Sequence, residues 1–265
     1  MTPAGIVVSL AAIFISMIMS HGKPMTIVSI PSMILVLGGT IGVSIAGVNK
    51  HDLKPVRGAL LTAIKNKVTW HASDFNKHLL TAAKEARTMG LLALENGLPE
   101  AKVDPFVRSG VELITTTSDP ERVRNVLDAE IIGMRARHRV GIKFFQDMGG
   151  FAPTIGILGT VIGLVRVLGD LSSPATLGPA IASAFTATLW GVMTANIFWI
   201  PISNKLKRLS DDEVRRKELV IEGLLAVQEG LTGPQLRDRL DPFLAPRERG
   251  DQAKGRGASA EESAA

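Results

Sequence analysis

Two threonines, Thr160 and Thr188, stand among small residues deep inside apolar segments that carry almost no charge. A hydroxyl placed there has two uses. It can bond the carbonyl four residues back on its own helix, or it can lend an oxygen to a polar track across the bilayer without a full charge. Each segment also has a proline toward one end, Pro153 and Pro201. Each proline removes a backbone hydrogen bond and can bend its helix, as an architectural kink or as a hinge. No Asp or Glu lies within these segments; Asp170 marks a boundary. A proton relay through a membrane normally needs an ionisable group. If protons pass here, the titrating carboxylate must come from another polypeptide. That excludes a self-contained proton pump and permits half of a two-component channel.

The elements that must position these residues are legible from missing charge. Four apolar stretches, Pro3–Ser20, Met25–Val48, Gly149–Gly169 and Pro179–Ile202, contain one ionisable side chain between them, Arg166. Each is close to the roughly 20 helical residues that cross a hydrocarbon core of about 30 Å. The sequence therefore predicts an all-α integral membrane protein: four transmembrane helices in two hairpins, with a helical domain between spans 2 and 3. Its predicted parts are a hairpin over 1–48, a helical domain over 49–148, a second hairpin over 149–202 lining the ion path, a helix over 203–244 and a disordered tail over 245–265. Of 30 Lys and Arg, only Lys23 and Arg166 fall outside residues 50–146 and 203–265. Positive residues beside membrane helices stay in the cytoplasm, so both termini and the central domain are expected there. The outer connections, Ser20–Pro24 and Asp170–Gly178, are too short to fold alone. The first stretch has neither a basic leader nor an Ala-x-Ala cleavage pattern, and reads as a retained helix.

Composition removes several classes of function. There is no cysteine, hence no disulfide, thiol chemistry or thiolate zinc site. Five scattered histidines offer no metal-ligand pair, and no cofactor is expected beyond a translocated ion, H+ or Na+. The net charge of +5 fits topology and anionic membrane lipid better than nucleic acid, since no basic stretch is interleaved with aromatics. The central block has no glycine-rich phosphate loop and no Ser/His/Asp arrangement, so an enzyme is not indicated. A substrate transporter would need a polar midplane site and internal repeats, which the two hairpins lack.

Between the hairpins the apolar period is helical: Leu60, Leu61, Ile64 and Val68, then Phe75, Leu79, Leu80 and Ala83. Asp119-Pro120-Glu121 predicts a helix start. With no breaker before Gly149, that helix can continue into the third span. Val111–Thr117 is ambiguous between helix and strand. Gly38-x-x-x-Gly42 in the second stretch predicts a close helix contact. After Pro201, Leu206, Leu209, Val214, Leu219, Leu224 and Val227 predict an amphipathic helix to Gly230.

Taken together, these segments resemble the MotA/PomA family, the larger subunit of bacterial flagellar stators. The likeness is carried by Ala86-Arg87-Thr88-Met89-Gly90-Leu91-Leu92-Ala93-Leu94-Glu95, by Ala152–Val165, by Thr188-Leu189-Trp190-Gly191 through Asn196 to Pro201-Ile202, and by Glu222–Gly230. It implies a homopentamer in the bacterial inner membrane around a dimer of a MotB-type partner, which supplies one membrane helix with the essential Asp. Ion passage past that Asp would turn the pentamer against the rotor switch protein FliG, driving motility. The resemblance assigns Arg87 and Glu95 to rotor contact, eight residues apart on one helix. It assigns Pro153 and Pro201 to torque coupling, and Thr160 and Thr188 to the ion pathway. The basic run Arg135, Arg137, Arg139 and Lys143 departs from members that are acidic there, and Ala187 from members with Thr beside the pathway. The competing reading is an ExbB/TolQ-type energiser, whose members lead with a single helix rather than a hairpin.

Overall fold

The computed structural model describes residues 2–21, 27–65, 70–169 and 174–244. The tail 245–265, expected to be disordered, lies outside them, as do Val68, residues 22–26 and residues 170–173, where the connections expected outside the membrane fall. All the regular elements described are helical. They are α1 (Thr2–Met19), α2 (Ile30–Ala46), α3 (Leu53–Lys65), α4 (Ala72–Met89), α5 (Ala93–Gly97), α6 (Glu100–Val103), α7 (Pro105–Thr116), α8 (Pro120–Gly169), α9 (Pro174–Thr194), α10 (Ile200–Gln228) and α11 (Gly233–Leu240). Wider π-turns interrupt α2 at Ile34–Gly38 and join α9 to α10 at Ala195–Trp199.

Among the described residues two stretches, within Pro120–Gly169 and Leu177–Gln228, are long and apolar enough to cross a membrane. A third exists if Ile30–Ala46 and Lys50–Ala63, bent by 116°, count as one broken span. Ala4–Met19 is apolar but shorter.

The chain packs as two units, one of residues 1–66 and 136–209, the other of 67–135 and 210–265. The first takes in 49–66 and 136–148, which the sequence reading groups with the domain between the hairpins. Its packing shows why: Phe144, Phe145 and Met148 of α8 cluster with Val56 and Ala63 of α3 and Leu206 of α10. Ser203 donates to the Ile142 carbonyl at 2.9 Å, and Lys205 Nζ to the Ala63 carbonyl at 2.6 Å. The second unit has a conventional core of large side chains, among them Phe75, Leu79, Leu94, Leu127 and Leu224.

Local chemistry sets the helix ends. Asp119 caps α8, its Oδ1 accepting from the amides of Glu121 (3.0 Å) and Arg122 (3.3 Å), and the helix then runs unbroken for 50 residues through Pro153. The ambiguous Val111–Thr117 is helical except for its last residue, because Asp104 caps α7 and Pro105 opens it. Gly230, at φ 82°, follows the end of α10.

Within this chain Gly38 and Gly42 meet nothing within 4 Å, and the close approach of α2 is made by Gly39, where a β-carbon would lie 3.1 Å from Ile155. The π-turn just before it inserts extra backbone and shifts which face of α2 looks inward. One expectation is corrected: Arg87 and Glu95 do not share a helix. Gly90 at φ 86° ends α4, and Glu95 lies on α5, folded back so closely that a β-carbon on Gly97 would come 2.6 Å from the Ala82 side chain.

Candidate functional site

The site is built where α8 and α9 touch backbone to backbone. A β-carbon at Gly156 would sit 2.9 Å from the Ala187 carbonyl oxygen, one at Gly163 2.5 Å from the Ala184 side chain, and one at Gly191 2.5 Å from the Ala152 carbonyl oxygen. Only glycine permits that approach on both helices. It brings side chains 28 residues apart in sequence into direct contact.

Thr160 and Thr188 are among them. Their hydroxyl oxygens share a hydrogen bond, and both residues are half-buried. Thr160 Oγ1 lies 3.2 Å from the Gly156 carbonyl and 3.3 Å from the Ala184 carbonyl; Thr188 Oγ1 lies 3.2 Å from the Gly156 carbonyl. The pattern is reciprocal, since each threonine reaches the carbonyl four residues before the other. Purely local back-bonding describes Thr160 only in part, and Thr188 bonds across the helix pair. The result is a cluster of four neutral oxygens, two hydroxyl and two carbonyl, on a surface with no charge of its own. Neutral oxygens suit a hard cation or an ordered water, but they supply no titrating proton.

Sequence reasoning named the carbonyl four residues back as each hydroxyl's partner, but not that each hydroxyl reaches across to the carbonyl on the other helix. It also missed what braces the pair. Ser32 of α2 reaches the Ser183 carbonyl at 3.4 Å, and the Trp190 indole donates to the Ile27 carbonyl at 2.9 Å. Thr40 and Ser44 are buried on α2, and their hydroxyls have no hydrogen-bond partner among the described residues. Nothing in their spacing singled them out.

The prolines sit in different backbone settings. Pro153 lies inside α8, one residue after Ala152, which packs on Gly191. Pro201 is the second residue of α10, directly after the π-turn Ala195–Trp199. A π-turn shifts the hydrogen-bond register by one residue, and such insertions recur at functional places in helices. Both prolines are half-buried.

In the second unit Arg87 and Glu95 are exposed, and neither forms an ion pair among the described residues. Of the basic run, Arg135 pairs with Glu218 at 3.2 Å and Lys143 with Asp147 at 2.9 Å, both on the surface. The firmest charge network is elsewhere. Glu222 is gripped by Arg124 at 2.6 Å and Arg239 at 3.1 Å, and Arg239 also reaches Glu229 at 3.2 Å. Burial works against the Glu222 charge, but the two guanidiniums outweigh it and hold its carboxyl below the usual range. No group of three or more metal-ligating side chains exists among the described residues.

Comparison with known proteins agrees with this architecture. Residues 99–219 match the model of the MotA/TolQ/ExbB proton channel family. Motility protein A of Bacillus subtilis is 30% identical over 245 residues, covering 92% of this chain and 90% of that protein. The flagellar MotAB stator complex of the same species contains a chain that superposes with a TM-score of 0.87 at 30% identity, over 94% of this chain and 97% of that one. The C. jejuni MotAB structure, at 23% identity and a TM-score of 0.86, shares the fold. A helix contact sealed by glycines around two hydroxyls, within apolar stretches that hold no carboxylate, is thus found on a chain that belongs to the MotA/TolQ/ExbB proton channel family, a family of channels and not of enzymes.

Proposed function

We propose that this chain is the channel-forming subunit of a flagellar stator, with α8 and α9 facing the membrane helix of a MotB-type partner. The observation that carries this reading is the Thr160–Thr188 oxygen cluster between apolar stretches, 149–169 and 179–202, that contain no carboxylate. Such a surface can stabilise a cation or water beside an acid, but cannot relay a proton alone. The partner supplies the acid. Neutralising it lets the α8–α9 face slip to the next subunit, and the membrane potential favours the inward step by about 2.3 kcal/mol per charge per 100 mV.

In this reading the chain crosses the bacterial inner membrane four times, as two hairpins over 1–48 and 149–202, with both termini cytoplasmic. Five copies surround the partner dimer. The domain over 49–148 and the helix over 203–244 face the cytoplasm. There Arg87 and Glu95, unpaired and exposed on either side of the Gly90 turn, meet the rotor protein FliG. Pro153 and the π-turn before Pro201 are the points where a helix can change its hydrogen-bond register without breaking.

The test is swimming speed in a strain carrying this chain and its native partner, at fixed alkaline pH, with and without sodium and with a protonophore. Speed that tracks sodium and survives the protonophore makes the four oxygens cation ligands. Speed indifferent to sodium and lost with the proton gradient makes them water-positioning groups. Unchanged motility after deletion, with no second stator present, favours an ExbB/TolQ-type energiser. Pro153→Ala is expected to abolish torque while leaving the complex assembled; normal swimming removes Pro153 from the coupling.

A further inference from the structure

The second unit holds a basic cavity that ion flow and rotor contact leave unused. It lies between α4 and the start of α11 as a half-open hollow of about 560 Å³, within the range of small-molecule sites. On α4, Lys77, Thr81 and Lys84 follow one another at spacings of four and three, which puts them on one helix face beside Leu80. Across from them stand Pro234 and Arg237 of α11. No acidic side chain lines the cavity. Lys77 has Asp74 at 3.9 Å, an exposed and therefore weak pair, while Lys84 and Arg237 have no ion-pair partner among the described residues.

Two further features leave this corner short of acceptors. Arg237 is half-buried, and its Nε has no hydrogen-bond partner among the described residues, so no intrachain acceptor at Nε fixes its guanidinium. And Thr232, the N-cap of α11, makes no side-chain cap, so the positive end of the helix dipole has no acceptor from that residue, although Pro234 in the first turn brings no N–H of its own. Gly233, at φ 58°, faces open space and leaves the approach clear.

We propose that this cavity binds the phosphate group of a small soluble ligand. A phosphate dianion answers three converging cations where a single carboxylate would not, and its oxygens match a guanidinium fork. The apolar wall of Leu80 and Pro234 leaves room for whatever the phosphate is attached to. The site is independent of the ion path, so it offers a way for a soluble anion to bias this unit.

The test uses the full chain with its membrane partner in lipid nanodiscs, titrated calorimetrically with inorganic pyrophosphate and with ATP. Binding of either is expected, weakened about tenfold by Lys84→Gln and by Arg237→Lys, which keeps the charge but loses the fork. Lys102→Gln, an exposed lysine of the same unit outside the cavity, is expected to change nothing. Tighter binding of ATP identifies a nucleotide as the source, and equal binding identifies the phosphate group alone. Lys84 is exposed, so its substitution leaves the fold intact and a thermal melt confirms it. The proposal is overturned if neither compound binds at millimolar concentration, or if both substitutions leave the affinity unchanged.

Discussion

The α8–α9 contact of the first unit and the core of the second hold helices together in opposite ways. In the first, α8 meets α9 through Gly156, Gly163 and Gly191 against Ala184, Ala187 and Ala152, with backbone atoms in contact and scarcely a large side chain between them. In the second, Phe75, Leu79, Leu127, Leu219 and Leu224 are fully enclosed and interdigitate as in any water-soluble core. The solvent explains the difference. Lipid tails are as apolar as leucine, so burying leucines between membrane helices gains little, and close packing plus interhelical hydrogen bonds must serve instead. In water, removing each large side chain from solvent contributes about 1.5–3 kcal/mol.

Four substitutions break or sharpen this contrast. The largest effect is expected from Gly191→Leu, because even a β-carbon there comes 2.5 Å from the Ala152 carbonyl. The α8–α9 contact is then lost at a cost of about 3 kcal/mol or more, and motility disappears. Membrane-fraction immunoblots and swimming plates read this out, and a motile Gly191→Leu strain would sink the backbone-contact model. Leu224→Ala in the other unit removes a fully buried side chain and is expected to cost about 2–5 kcal/mol in a denaturation series. Its motility should fall only as far as protein level falls, which separates a stability core from a working face.

Third comes the hydroxyl pair. Thr188→Val keeps shape but deletes the oxygen, at a stability cost of about 1 kcal/mol. It should nonetheless stop swimming, whereas Thr188→Ser should restore most of it. If valine and serine swim alike, the hydroxyl is packing. The smallest effect is Glu222→Gln, expected to cost about 1–2 kcal/mol at neutral pH by leaving Arg124 and Arg239 without their shared carboxylate. Because the folded Glu222 carboxyl lies below its ordinary value of 4.5, its contribution is complete above that pH and fades as pH falls through the folded value. The glutamine variant should show a flatter loss of stability with acid, measured as melting temperature against pH.

Much of this was legible in one dimension. Asp119 and Pro120 mark the start of α8, and the absence of any breaker before Gly149 carries that helix into the apolar stretch. The helical period of Phe75, Leu79 and Ala83 gives the buried face of α4. Arg87 and Glu95 were less legible, because nothing in their spacing tells whether Gly90 continues a helix or turns it. The left-handed φ that glycine tolerates decides for a turn. The approach of Gly39 to Ile155 was not legible either, because helical spacing assumes a uniform helix and the π-turn at Ile34–Gly38 rotates the faces beyond it.

By itself the sequence determined where charge is absent, which segments are helical, and that no acid sits beside Thr160 or Thr188. Those properties are local, set by side-chain solvation and backbone preference. Only the tertiary structure decided that the two hydroxyls meet, that each reaches the other's carbonyl, and that Lys77, Lys84 and Arg237 surround one cavity. The register between two helices depends on how glycines and alanines interlock across the contact, and that information belongs to the pair rather than to either strand of sequence.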